Sequence, residues 1–147
     1  LEKYYRPYRC KVLDRVTAAI AAEGLAVHLS VHTFTPRFRG TRRAVDIGIL
    51  FDPDRKNEAA IANAWCKDLA TRLPRMRIAA NQPYLGTDDG LTTWIRTKFA
   101  APEYVGIEIE IANSIAKKSK GSQHKLLTEL ATTIGNPTWT HDSARGA

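Results

Sequence analysis

Apolar positions along the chain switch repeatedly between two spacings. From residue 3 to 23, Tyr5, Tyr8, Val12, Val16 and Ala19 recur at helical intervals, and Gly24 marks a stop. Next comes "LAVHLSVH", in which Leu25, Val27, Leu29 and Val31 alternate with Ala26, His28, Ser30 and His32. Strict alternation predicts a strand, ending near "TFTP". After a basic loop containing Gly40, "AVDIGILF" (44–51) predicts a second strand from its β-branched and aromatic residues. "DPDRKN" is a turn, and Asn57 is placed to cap a helix running to Arg72. There Ile61, Trp65, Leu69 and Leu73 lie four apart, and Pro74 closes the helix. "RMRIAA" (75–80) is a short strand, followed by the loop "NQPYLGTDDG". Asp88 or Asp89 is placed to cap a helix over 90–100. A strand at 104–112 and a helix at 122–134, stopped by Gly135 and Pro137, complete the pattern. The tail 138–147 is polar and expected to be loose, with Trp139 able to pack back.

Helices alternating with strands indicate an α/β class with a largely parallel or mixed sheet. No repeat or interdomain linker interrupts residues 1–147, so one domain is expected. Ligands in such folds gather beyond the carboxyl ends of strands. That rule singles out His32 with Thr33, the loop at Asn81, and Glu110 with Asn113. His32 reads first as a histidine hydrogen-bonded at a strand terminus, with a metal or acid–base role as the alternative. His28, deeper in the same strand, reads as a packing residue. Glu108 and Glu110 share one strand face. The two readings are a partly solvated face with one Glu paired to a lysine or arginine, and a strand-end carboxylate beside a metal acting as general base on a bound water. Asp88 and Asp89 fit turn chemistry, while Asn81 and Tyr84 are better placed to contact a substrate. Arg96 could reach solvent or face a cleft.

Composition narrows the function. At 44% hydrophobic and 25% charged, with no apolar run near the roughly 20 residues of a membrane span, the chain reads as a soluble globular protein. Cys10 and Cys66 stand alone in two helices, which suggests reduced thiols and a cytoplasmic setting. The net charge of +7 is local, concentrated in "RFRGTRR" (37–43) and "KKSKGSQHK" (117–125). Such runs are solvated surface, polyanion sites, or an arginine fork for a carboxylate. Nucleic acid is not the expected partner. The basic runs lack interleaved aromatics, and no helix-turn-helix or RNP-like signature is present.

Five segments in order carry a resemblance: "YYRPYR" (4–9), "LSVHTFTP" (29–36), "RRAVDIGILFDPD" (42–54), "NQPYLGTDDGLTTWIR" (81–96) and "IEIEIAN" (107–113). Together they resemble the N-formylglutamate amidohydrolase family. The resemblance implies a zinc-carboxypeptidase-like phosphorylase/hydrolase fold, three-layer αβα around a mixed, largely parallel sheet. It implies zinc-dependent hydrolysis of a C–N amide bond in a small N-acyl amino acid such as N-formylglutamate. His32 matches a zinc ligand, and Glu110 best matches the acid that activates the metal-bound water. Arg43, Asn81, Tyr84 and Arg96 fall where contacts to the substrate carboxylate and amide are expected.

The match has departures. Thr33 replaces a serine, Gln82 replaces a glutamate, and Ala112 intervenes before Asn113. In the family, further zinc ligands precede the Tyr-rich helix with which this chain opens. One histidine does not hold a catalytic zinc, which usually has three protein ligands. The expectation is therefore the C-terminal portion of such an enzyme, with the remaining ligands upstream of Leu1, and without tight zinc binding or amidase activity on its own. The alternative is a homologue that has lost catalysis and binds small acidic ligands.

Overall fold

The computed structural model describes residues 2–117 and 119–136. The helices are α1 (Glu2–Glu23), α2 (Lys56–Arg72), α3 (Leu91–Arg96), α4 (Asn113–Ala116) and α5 (Lys120–Ile134). The strands are β1 (Ala26–Phe34), β2 (Arg37–Phe38), β3 (Thr41–Arg42), β4 (Ile47–Leu50), β5 (Ile78–Ala80) and β6 (Tyr104–Ala112). Four strands form one sheet in the order β1-β6-β4-β5. β1 runs parallel to β6 and β4 parallel to β5, while β4 is antiparallel to β6. The fold is α/β with a mixed, mostly parallel sheet, as the alternation of helix and strand patterns predicts.

Both faces of the sheet are covered. Val105, Ile107, Ile109 and Ile111 of β6 join Trp65 and Leu69 of α2 and Leu126 and Leu130 of α5 in the main core. On the opposite face, Tyr104 packs with Val16 of α1 and Ile95 of α3. The layers are thus α1 and α3, sheet, α2 and α5. β4, "IGIL", is buried at all four positions. Such a continuous apolar run suits an interior strand covered on both faces. Each fully buried isoleucine or leucine contributes roughly 1.5–3 kcal/mol relative to exposure.

Several boundaries differ from the sequence pattern, each for a local reason. α2 begins one residue before Asn57, and no side chain caps it. The first turn is instead tied down by Glu58, whose carboxylate accepts the Asp52 N–H at 3.0 Å. α3 ends at Arg96 rather than near residue 100. The carbonyls of Arg96 and Phe99 are both taken by the Arg55 guanidinium at 2.9 Å, which removes them as helix acceptors. Neither aspartate caps α3. Gly90 holds the N-cap position, and the Asp88 carboxylate accepts the Leu85 N–H. In α1, Tyr5 and Tyr8 are 53% and 57% exposed, so the apolar stripe meets the sheet only from Val12 onward. The basic loop folds into the β2–β3 ribbon. Arg39 and Gly40 at its tip both have positive φ, the signature of a tight two-residue hairpin turn. The predicted tail at 138–147 lies outside the described residues.

Candidate active site

The parallel pairing of β1 and β6 decides the geometry. His32 lies in register with Glu110, and Ser30 with Glu108. On the other side of β6, Gly48 of β4 pairs with Glu110. Partners in register share a face, so His32, Glu110 and the bare Gly48 form one row across three strands. A Cβ on Gly48 would sit 1.8 Å from the Gln82 carbonyl oxygen. Glycine there lets the loop after β5 lie directly on the sheet beside Glu110.

The two glutamates differ in their surroundings. Glu108 is half-buried and accepts a hydrogen bond from the Thr92 hydroxyl of α3. Glu110 is 7% exposed, and its Oε2 has no hydrogen-bond partner among the described residues. Burial pushes the Glu110 carboxyl above its ordinary range. His32 and Arg43 oppose that push, and Glu108 adds to it. A buried carboxylate oxygen without a donor is costly, which makes it a candidate for a task at the site. His32 is exposed, and its Nε2 is 2.7 Å from the Ser30 hydroxyl. His28, two residues deeper, packs as expected. Its Nδ1 is 2.8 Å from the Tyr104 hydroxyl, and burial lowers its pKa.

Arg43 and Tyr84 meet at the edge of this row. The guanidinium donates to the Tyr84 hydroxyl at 2.9 Å and to the Thr35 carbonyl at 3.3 Å. It also lies over the rings of Tyr84, Phe38 and Phe34, at 4.7, 5.2 and 5.6 Å. Flat aromatic walls orient a guanidinium and lower its hydration. Among the described residues only one terminal nitrogen of the arginine is engaged in hydrogen bonds, which leaves its other donors open.

Arg96 and Asn81 both make their hydrogen bonds inside the molecule. Arg96 is buried and ion-pairs with Glu58 at 2.9 Å. Its remaining donors reach the Gly86 and Gly106 carbonyls and the Thr93 hydroxyl. All five N–H groups of its fork are thereby used. Gly106 precedes Glu110 by four residues, about 13 Å along the strand. Asn81, at φ 50°, accepts the Phe51 and Gly86 N–H groups through Oδ1 at 3.0 and 3.1 Å. β5 runs opposite to β1 and β6, and its last residue, Ala80, stands level with Ile49 and Ile109, next to the Glu110 row. The chain after it crosses β4 at Gly48 and brings Tyr84 to Arg43. Asn81 organises that crossing. His32, Glu110, Arg43 and Tyr84 converge; Asn81 and Arg96 build the scaffold around them.

Ser30, Gly48 and Thr92 were not singled out in the sequence. Ser30 was legible in principle, two residues before His32 on the same strand face. Gly48 and Thr92 carried no such sign, since their roles depend on which segments the fold lays against them.

Among the described residues, no group of three His, Cys, Asp or Glu is arranged to hold a metal ion. His32 offers one imidazole, where a catalytic zinc usually has three protein ligands.

Residues 1–116 match the N-formylglutamate amidohydrolase family. A crystal structure of a gene product from Agrobacterium tumefaciens is similar at 27% identity and a TM-score of 0.60, over 82% of this chain and 48% of that one. The chain therefore spans about half the length of that solved protein. No curated protein matches significantly.

Proposed function

The chain belongs to the N-formylglutamate amidohydrolase family, and from that premise we propose that its site serves hydrolysis of a C–N amide bond in a small N-acyl amino acid such as N-formylglutamate. The observation that carries this reading is the buried, unpartnered Glu110 Oε2 beside His32. In the proposed reaction Glu110 Oε2 takes a proton from the attacking water as the water oxygen bonds to the acyl carbon. When the C–N bond breaks, the same carboxyl returns the proton to the amine nitrogen, giving a free amino acid and a carboxylic acid. Arg43, held by its aromatic walls and by Tyr84, grips the substrate carboxylate with its free donors. Arg96 and Asn81 keep the 81–96 segment in place rather than touching substrate.

Zinc is the proposed metal, with His32 as one ligand. When bound it would lower the pKa of water to about 7 and polarise the acyl carbonyl. The remaining donors are proposed to come from sequence preceding Leu1. The chain spans 48% of the solved relative, so donors outside these 147 residues are compatible with that match. The 147-residue chain alone is accordingly expected to bind zinc weakly and to lack turnover. Stoichiometric zinc together with release of glutamate by this chain would contradict that expectation.

The catalytic assignment is tested in the full-length natural protein with N-formylglutamate and zinc. Glu110→Gln should lower kcat by about 10²–10⁴-fold, and His32→Ala should reduce zinc content as well as rate. Unchanged hydrolysis in both variants would remove the assignment. Saturable binding of N-formylglutamate without hydrolysis by the wild type would favour the second reading, a binding module for small acidic ligands. Arg43 in its aromatic setting supports that reading independently of any metal.

A further inference from the structure

A second polar pocket of about 270 Å³ lies beside the proposed active site, where the β2–β3 ribbon meets the ends of β1 and β6. Its wall contains Arg37, Arg42, Arg43 and Arg77, with Asp46 and Ser114. Asp46 is already committed. Its carboxylate takes two bonds from the Arg77 guanidinium, at 2.7 and 2.9 Å, and the Arg77 N–H at 3.0 Å. Arg37, Arg42 and Arg43 make no ion pair at contact distance among the described residues, although Arg42 acts on Asp46 and Arg43 on Glu110 from farther away. Arg43 links the two sites, because it also bounds the row containing Glu110.

The ribbon itself is built against charge. Arg37 and Arg42 are cross-strand partners in register, so their Cβ atoms lie about 4.5–5.5 Å apart on one face. Like charges directly opposed in a sheet destabilise it. The tight turn at Arg39 and Gly40 leaves no slack to separate them. The base of the ribbon is closed by the Arg43 N–H on the Pro36 carbonyl at 3.0 Å. Two planar forks that rise from paired positions beside a concave floor can close on an oxyanion from two directions at once.

We propose that this pocket binds a small dianion whose charged oxygens engage Arg37 and Arg42 together: a phosphate group or a dicarboxylate. Binding offsets the repulsion within the ribbon, so the ligand also stiffens the segment that holds Phe38 against Arg43. The site does not depend on hydrolysis at Glu110, and it operates whether or not the amidase reading holds.

The experiment is calorimetric titration of the 147-residue protein with inorganic phosphate, glutarate and acetate, alongside thermal unfolding with and without each anion. Arg37→Gln/Arg42→Gln removes the paired forks, and Arg75→Gln removes one exposed arginine elsewhere on the surface. Saturable binding of phosphate or glutarate is expected, at least tenfold weaker in the double variant and within twofold of wild type in Arg75→Gln. Phosphate and glutarate distinguish the two sources of the dianion. Without anion, the double variant should melt at or above the wild-type temperature, because the repulsion is gone and the fold is intact. Equal binding by the double variant would overturn the proposal, as would an equal loss in Arg75→Gln or acetate binding as tightly as the dianions. A clearly lower melting temperature for the anion-free double variant would overturn it too. So would ribbon-dependent binding of a single-stranded oligonucleotide with no binding of either small dianion.

Discussion

Two acidic residues show how differently one side-chain type is used. Glu58 is fully buried and completely satisfied, by Arg96 and by the N–H groups of Asp52 and Gly106. Glu110 is nearly as buried and leaves Oε2 unpartnered. Their substitutions should act in opposite directions. Arg96→Met strands the Glu58 carboxylate and should cost about 3–5 kcal/mol, read from urea unfolding at pH 7. A loss below about 1 kcal/mol would mean that the pair is open to solvent. Glu110→Gln removes a charge that His32 and Arg43 offset only in part, and should stabilise the chain by about 1 kcal/mol, seen as a higher melting temperature. A drop instead would show that the carboxylate is held by a partner. Stability gained by neutralising an active-site group is the ordinary trade between activity and stability.

At the scale of elements, the arrangement depends on how closely the 81–86 loop lies on β4. Gly48 and Gly86 make this possible. A Cβ on Gly86 would come within 2.1 Å of the Phe51 backbone, as one on Gly48 would meet Gln82. Gly48→Ala should therefore destabilise by about 3 kcal/mol or more and displace Tyr84 from Arg43. Denaturant unfolding measures the first effect, and the change in Tyr84 fluorescence or chemical shift reports the second. The Asp46–Arg77 pair joins the start of β4 to the segment before β5. The side-chain hydrogen bond from Arg77 holds the Asp46 carboxyl below its ordinary pKa. A depressed folded-state pKa adds stability that is complete above the unfolded value and is lost as pH falls through the folded one. Asp46→Asn should thus lower stability at pH 7 by at most about 1 kcal/mol, given solvent screening of the pair. The gap to wild type should close below the ordinary aspartate pKa of about 4. A constant gap from pH 7 to pH 2.5 would assign the effect to something other than this carboxylate.

For the molecule as a whole, the sheet has two unlike edges. β1 is nine residues long and lies at one edge of the described sheet, with Val31 62% exposed. A long edge strand carrying an exposed apolar side chain invites pairing with another chain. Val31→Lys should reduce concentration-dependent light scattering of the 147-residue protein without changing its melting temperature by more than a few degrees. Scattering unaffected by the lysine would place any self-association elsewhere. Val31 lies between Ser30 and His32, on the opposite face of β1, so the substitution leaves the proposed catalytic row untouched.

Much of this protein was legible along the chain because local chemistry decided it. The period-two pattern of 25–32, the β-branched run at 47–50 and the four-residue spacing of α2 each predicted the element that forms there. Segment order also pointed to the family, and Glu110 was preferred over Glu108 before any contact was visible. Strand direction was not local information. Nothing in "RMRIAA" states that β5 runs against β1 and β6, or that the chain after it crosses β4 at Gly48. Nor did "WIR" reveal that Arg96 would spend all five donors inside the molecule, since its partners lie on α2, β6 and the preceding loop. The opposed Arg37 and Arg42 appeared only once a two-residue turn set their register. The sequence by itself determined which segments are helix or strand and which residues could carry chemistry. Tertiary structure decided which of those residues meet, because a hydrogen-bonding fork or a buried carboxylate is defined by partners distant in the chain.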